Sequence, residues 1–214
     1  MGGEVSITNG YITLQQAKDY IGDGITGVKH EAGLERAVTS ASRWIDRHCG
    51  RRFYADGSAT ARLLYPESRT LVRTPDISTT TGLVVKYDSG DDGTYETTVS
   101  SSDYQLEPLD GVREGTTGWP YDAIRLIESV MFPVYSKRPS VQVTANWGWA
   151  AVPADVAEAC LILSHHFHAL RNAPHGVATF AAETFAMRAS AVPPQVPELL
   201  RDFRKAEKIA QAFS

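Results

Sequence analysis

His165, His166 and His168 crowd one short stretch of the chain, with His175 close behind. On a helix, His165 and His168 stand an i, i+3 step apart and can face one ion together. Two helical histidines make an incomplete site, because tetrahedral zinc takes three or four ligands and outer groups that orient them. The His-Glu-x-x-His pattern that would seat a general base beside them is absent. The reading favours buried or interfacial histidines and keeps a metal-dependent enzyme using His165 and His168 as an alternative of another class.

Asp88, Asp91 and Asp92 invite comparison with a calcium loop. Their spacing, Asp-Ser-Gly-Asp-Asp-Gly, does not supply ligands at alternate positions, and Val99 stands where a bidentate Glu belongs. A solvated hairpin turn is expected. No Gly-x-Ser-x-Gly elbow, phosphate-binding loop, dinucleotide fingerprint or Cys-x-x-Cys pair occurs. The sequence therefore nominates no catalytic residue, no metal ligand and no cofactor.

Arg47, Arg51 and Arg52 beside Phe53 and Tyr54 form the strongest basic–aromatic cluster. Such a cluster can grip phosphates or stack on bases, which makes a DNA-binding module through Arg51 and Arg52 a third reading. It can equally pair with carboxylates, within the chain or on a neighbouring subunit. A formal net charge of -4 over 214 residues gives no overall basic footprint for nucleic acid. Hydrophobic residues at 43% and charged residues at 21% are ordinary for a globular chain, so wholesale disorder is not expected. Cys49 and Cys160 read as reduced core residues. No leader pattern and no apolar run long enough to span a bilayer is seen, so a soluble protein made in a cytoplasm is expected, with no membrane partner.

Helices must position most of these groups. Thr13-Leu14-Gln15-Gln16 has the form of a capping box opening a short helix that stops at Gly22. Leu34, Ala37, Val38, Ala41, Ile45 and His48 follow a 3.6-residue period, with Trp44 beside them and Arg36, Arg43 and Arg47 opposite. Gly50 supplies the stop. From about 61 to 147 the period falls to two. Strands are expected at 62–65, 70–73, 83–87, 95–99, 104–106, 123–127 and 141–145, in an antiparallel sandwich or small barrel. Helical pattern returns after Pro153, with Val156, Cys160, Leu163, Phe167 and Leu170 in one stripe. A Pro- and Ala-rich connector then leads to an amphipathic segment from Glu198 to Phe213. The class is α+β, divided as a helical core (1–59 and 147–175), an inserted β domain (60–146), a connector (176–197) and a C-terminal helix (198–214).

Residues 11–20, 34–53 and 152–163 together resemble tailed-bacteriophage head–tail connector (adaptor) proteins. Those open on an Ile-Thr-Leu-type cap and a short helix. A longer helix follows and ends in a Gly-Arg-Arg-Phe-like turn, matched here by Gly50-Arg51-Arg52-Phe53. The long β insert departs from compact members. Membership would imply a non-enzymatic virion part of the neck, at the interface of head and tail. Copies would form a ring, commonly of twelve, under the portal protein. The ring would extend the channel for double-stranded DNA without reading its sequence, and would dock a stopper or the next neck protein. On that footing Leu199, Leu200, Phe203, Arg204 and Phe213 are expected to dock the portal, and Arg43, Arg47, Arg51 and Arg52 to brace the core or a subunit contact. Another neck protein, a stopper or a tail-completion protein, is the alternative within the class.

Overall fold

The computed structural model describes residues 7–22, 28–127, 130–135, 137–172, 177–178, 187–188 and 192–205. The chain divides into two compact units, a helical one from Met1–Arg52 with Val152–Ser214 and a β one of Phe53–Ala151. Phe53 and Trp147-Gly148-Trp149, which the sequence reading placed with the helices, belong to the β unit.

In the helical unit, α1 (Leu14–Ile21) begins with the expected capping box. The Gln16 N–H donates to Thr13 Oγ1 at 3.2 Å, and the Thr13 N–H donates to Gln16 Oε1 at 2.8 Å. Such a cap contributes on the order of 1 kcal/mol. α2 (Val28–Cys49) starts earlier than the apolar stripe suggests, because its first turns are held by polar contacts, including an ion pair between Lys18 and Glu31. Leu34, Ala37, Val38, Ala41, Ile45 and Cys49 are buried along one face, and Gly50 ends the helix at φ 64°. α3 (Ala154–Asn172) packs against α2 and buries Val156, Ala159, Cys160 and Leu163. Ser42 of α2 meets Cys160 of α3 at 3.5 Å, and the Ser42 hydroxyl also accepts the Tyr11 N–H at 3.1 Å.

The last segment differs from the helix expected from 198 onward. α4 (Gln195–Leu199) starts sooner, and a 3-10 turn follows at Arg201–Phe203. Arg204 is extended, with φ -70° and ψ 130°. Val196 and Leu200 are fully buried, and the Lys205 N–H donates to the Cys49 carbonyl at 2.9 Å. Burying Leu200 and capping α2 bend the chain away from a continuing helix. Residues 206–214 lie outside the described residues. Within the expected connector, Val177–Ala178 (β7) pairs with Met187–Arg188 (β8), a pairing too short to register as a period.

The β unit is one six-stranded antiparallel sheet, in place of the expected sandwich or barrel. Its strands are β1 (Thr60–Leu64), β2 (Leu71–Tyr87), β3 (Thr97–Thr98), β4 (Tyr104–Glu107), β5 (Tyr121–Leu126) and β6 (Val141–Trp147). The order is β1-β6-β2-β5-β4, with β3 on β2. The sequence reads two strands at 70–73 and 83–87, but the chain makes one of them. β2 pairs with β5 through Leu71–Ile77 and with β6 through Ile77–Tyr87, with register shifts on either side of Ile77. Pro75, a break in a simple reading, sits at one such shift, where a missing N–H is tolerated. Val72, Ile77, Val85, Ile124, Val141, Val143 and Trp147 form the core.

Entry and exit of this unit are clamped together. The Asp56 N–H donates to the Trp147 carbonyl at 2.7 Å, and the Gly148 N–H donates to the Asp76 carbonyl at 2.7 Å. Trp149 Nε1 donates to Asp76 Oδ2 at 3.0 Å. The Trp149 ring lies 5.1 Å from both Phe53 and Trp119, in the tilted geometry aromatic pairs prefer. Gly148 adopts φ 113°, and a Cβ there would stand 1.9 Å from the Tyr54 carbonyl oxygen. Gly148→Ala is therefore expected to destabilise the β unit by more than about 3 kcal/mol, read by chemical denaturation. A loss under about 1 kcal/mol would refute the clamp.

Candidate functional site

The four arginines singled out near the end of α2 do different things. Arg43 braces the chain internally: Nη2 donates to the Asn9 carbonyl at 2.8 Å and Nε lies 3.0 Å from Asp46 Oδ2. Arg51 is buried and its N–H donates to the Asp46 carbonyl at 3.3 Å. Arg52 is half-buried, while Arg47 is exposed. Asp46 stands among them. Burial pushes its carboxyl up, and this outweighs the Tyr11 hydroxyl bond and the Arg43, Arg47 and Arg52 charges that pull it down.

Trp44 and His48 stack beside this turn, with centroids 4.7 Å apart and planes 12° from parallel. Burial and the nearby Arg204 charge push the His48 imidazole down from its ordinary value, favouring its neutral form. Arg204, read from sequence as part of a portal-docking helix, is thereby brought to the end of α2. Its companions separate. Leu200 is fully buried in the chain's own core, whereas Leu199 and Phe203 are half-buried. Phe213 lies outside the described residues.

The histidine pair does not gather further ligands. His165 meets the edge of Tyr20 at 6.0 Å, and His168 is buried. Burial and the His165 charge push His166 down. His175 lies outside the described residues. Among the described residues no group of three or more His, Cys, Asp or Glu is arranged to hold a metal ion, and no helix is long and apolar enough to cross a membrane.

Asp88 has turned inward as a loop organiser. Its carboxylate accepts the N–H groups of Gly90 at 3.0 Å, Asp92 at 3.4 Å and Gly93 at 2.8 Å. Asp91 pairs instead with Arg138 at 3.2 Å. The stretch turns between β2 and β3 as expected, but Asp88 is buried in the turn where a solvated carboxylate was expected.

With that geometry in view, solved structures supply the relevant comparison. One match, solved in the neck of an empty gene transfer agent particle computed with C6 symmetry, covers 96% of this chain and 95% of that one. Its TM-score is 0.55 at 15% identity. The fold is similar to that of a chain in a gene transfer agent neck. A native particle's neck computed with C12 symmetry gives 0.51 at 16% identity, over 96% and 94% of the two chains. The virion of a native particle gives 0.51 at 17%, over 96% and 95%. At such identities the likeness is one of fold. No protein-family model matches the chain, and no curated protein matches it.

The sequence does not show that Arg204 returns to the end of α2, because the Lys205–Cys49 hydrogen bond that brings it there joins residues far apart in the chain. Two measurements check the buried groups. Burial pushes the Cys49 thiol up to about 11 and raises Cys160 as well, and both thiols are free and buried. A thiol reagent at pH 8 is expected to leave the native protein unmodified and to label both cysteines after denaturation. For Asp88, burial raises the carboxyl, but the donors from Gly93, Asp92, Gly90 and Asp91 prevail and hold it below the carboxylate range. Its stabilising contribution is then complete above the unfolded value of about 3.9 and fades as pH falls through the lower native value. Asp88→Asn is expected to flatten the acid limb of the melting temperature below about pH 4; an unchanged limb refutes the assignment.

Proposed function

We propose that this chain is a structural subunit of the neck of a tailed phage or phage-like particle, a head–tail connector that forms a ring of copies under the portal. The observation that carries the reading is the match to a gene transfer agent neck chain over nearly the whole of both chains. The match spans the residues of both the helical unit and the β unit, which supports reading the β insert as part of the subunit. The neck comparisons computed with six- and twelve-fold symmetry support a ring, which we take to be of twelve copies. Many weak contacts repeated around a ring give strong avidity with no single tight site.

In this reading the protein performs no chemistry. The ring continues the channel through which double-stranded DNA passes and offers its far side to a stopper or the next neck protein. Portal docking falls to the end of the chain, where Leu199 and Phe203 keep exposed surface, together with Phe213. Leu200 serves the fold instead.

Cryo-electron microscopy of the native particle tests this directly. A ring of this chain between portal and tail is the expected result. Density for it in the capsid shell or the tail tube would refute the proposal, and a position one layer lower would make it a stopper or completion protein.

A further inference from the structure

The loop between β4 and β5 packs Trp119 on Trp149 while its tip stays exposed. Its backbone is pinned from several sides: Gly111 N–H donates to Pro108 O at 3.1 Å, Trp119 N–H to Gly111 O at 3.0 Å, and Arg113 and Thr116 exchange bonds at 3.0 and 2.9 Å. Arg113 spreads over the Trp119 ring at 4.6 Å and pairs with Asp122 at 3.0 Å. On this frame Leu109 is 59% exposed and Val112 38%. Between and beside them stand the exposed Asp110 and Glu114, in left-handed backbone at φ 54° and 51°. Left-handed conformations are unusual for residues other than glycine and cluster where function requires them. Neither carboxylate has a hydrogen-bond or ion-pair partner among the described residues. The loop is an acidic, apolar-tipped knob.

The helical unit carries the converse surface. Arg47 lies one turn from Trp44 on α2, and the Lys205–Cys49 hydrogen bond brings the exposed Arg204 to the end of the helix that carries the Trp44–His48 stack. Neither guanidinium makes a hydrogen bond or ion pair among the described residues, and His48 Nε2 is buried without a hydrogen-bond partner. Tryptophan and arginine around an apolar centre are the residues that dominate protein interfaces.

We infer that the 109–114 knob of one copy docks on the Arg47–Trp44–His48–Arg204 surface of the next, with Asp110 and Glu114 meeting the two guanidiniums and Leu109 and Val112 covering the aromatic stack. Charge complementarity selects a second copy: the two unpaired carboxylates and the two unpaired guanidiniums belong to one sequence. Because the surfaces differ, the contact is head-to-tail, the kind that propagates and closes into a ring. The inference rests on the ring reading above and names its subunit contact.

Sedimentation velocity of the full-length chain, over a range of protein and salt concentrations, tests it. The wild type is expected to self-associate, and less so as salt rises. Arg47→Glu with Arg204→Glu, or Asp110→Lys with Glu114→Lys, should each weaken association by roughly tenfold or more, and all four changes in one chain should restore it. Unchanged melting temperatures establish that the variants fold. A Ser40→Cys, Val112→Cys chain, whose native thiols are buried, should form disulfide-linked multimers on oxidation. If the wild type associates but the reversals have no effect and no interchain disulfide forms, this contact is wrong and the ring stands. If the wild type stays monomeric under every condition, the ring reading falls and the contact with it.

Discussion

Everything the β unit presents depends on the place where residues 54–56 pass residues 147–149. There backbone touches backbone closely enough that only glycine fits at 148. The Asp76 carboxylate and carbonyl then hold the exit strand through one side-chain and one main-chain donor. A buried carboxylate is costly unless it is hydrogen-bonded, and the Trp149 Nε1 donor to Asp76 Oδ2 holds a ring that also packs on Phe53 and Trp119. Trp119 in turn supplies the carbonyl that crowds Gly111 and the ring under Arg113. The crossing, the aromatic cluster and the projecting loop are one continuous piece of packing.

The helical unit shows how burial sorts side chains of one type. Arginines that sequence alone can only group together separate into an internal brace at Arg43, a buried residue at Arg51 and an exposed one at Arg47. Guanidinium groups tolerate such different settings because their long stems pack while their charged ends find planar partners. The histidines of α3 follow the same logic. Their environment on a nearly all-round apolar helix decides their role, and the favoured structural reading accounts for His165 against Tyr20 and for His168 in the interior.

What was legible in the sequence was local. The Thr13–Gln16 box, the α2 stripe, the Gly50 stop and the antiparallel character of the insert each follow from a short-range rule. What was illegible depended on distant partners. β2 reads as two strands until β5 and β6 are seen to share it, β5 up to Ile77 and β6 from Ile77 onward. The final segment looked helical because its apolar spacing is helical, yet Leu200 and Lys205 answer to the core and to Cys49. The knob escaped notice since Asp110 and Glu114 carry no glycine-like signal for the left-handed conformations they adopt.

The hydrogen bond between Asp56 and Trp147 also bears on how such a chain comes to exist. The first and last residues of the β unit run side by side, so the unit begins and ends at one place. A segment with adjacent ends can be lengthened, shortened or replaced without changing the spacing of what flanks it. The β unit is in that sense a cassette, and variation in what it displays need not disturb the helices that carry it.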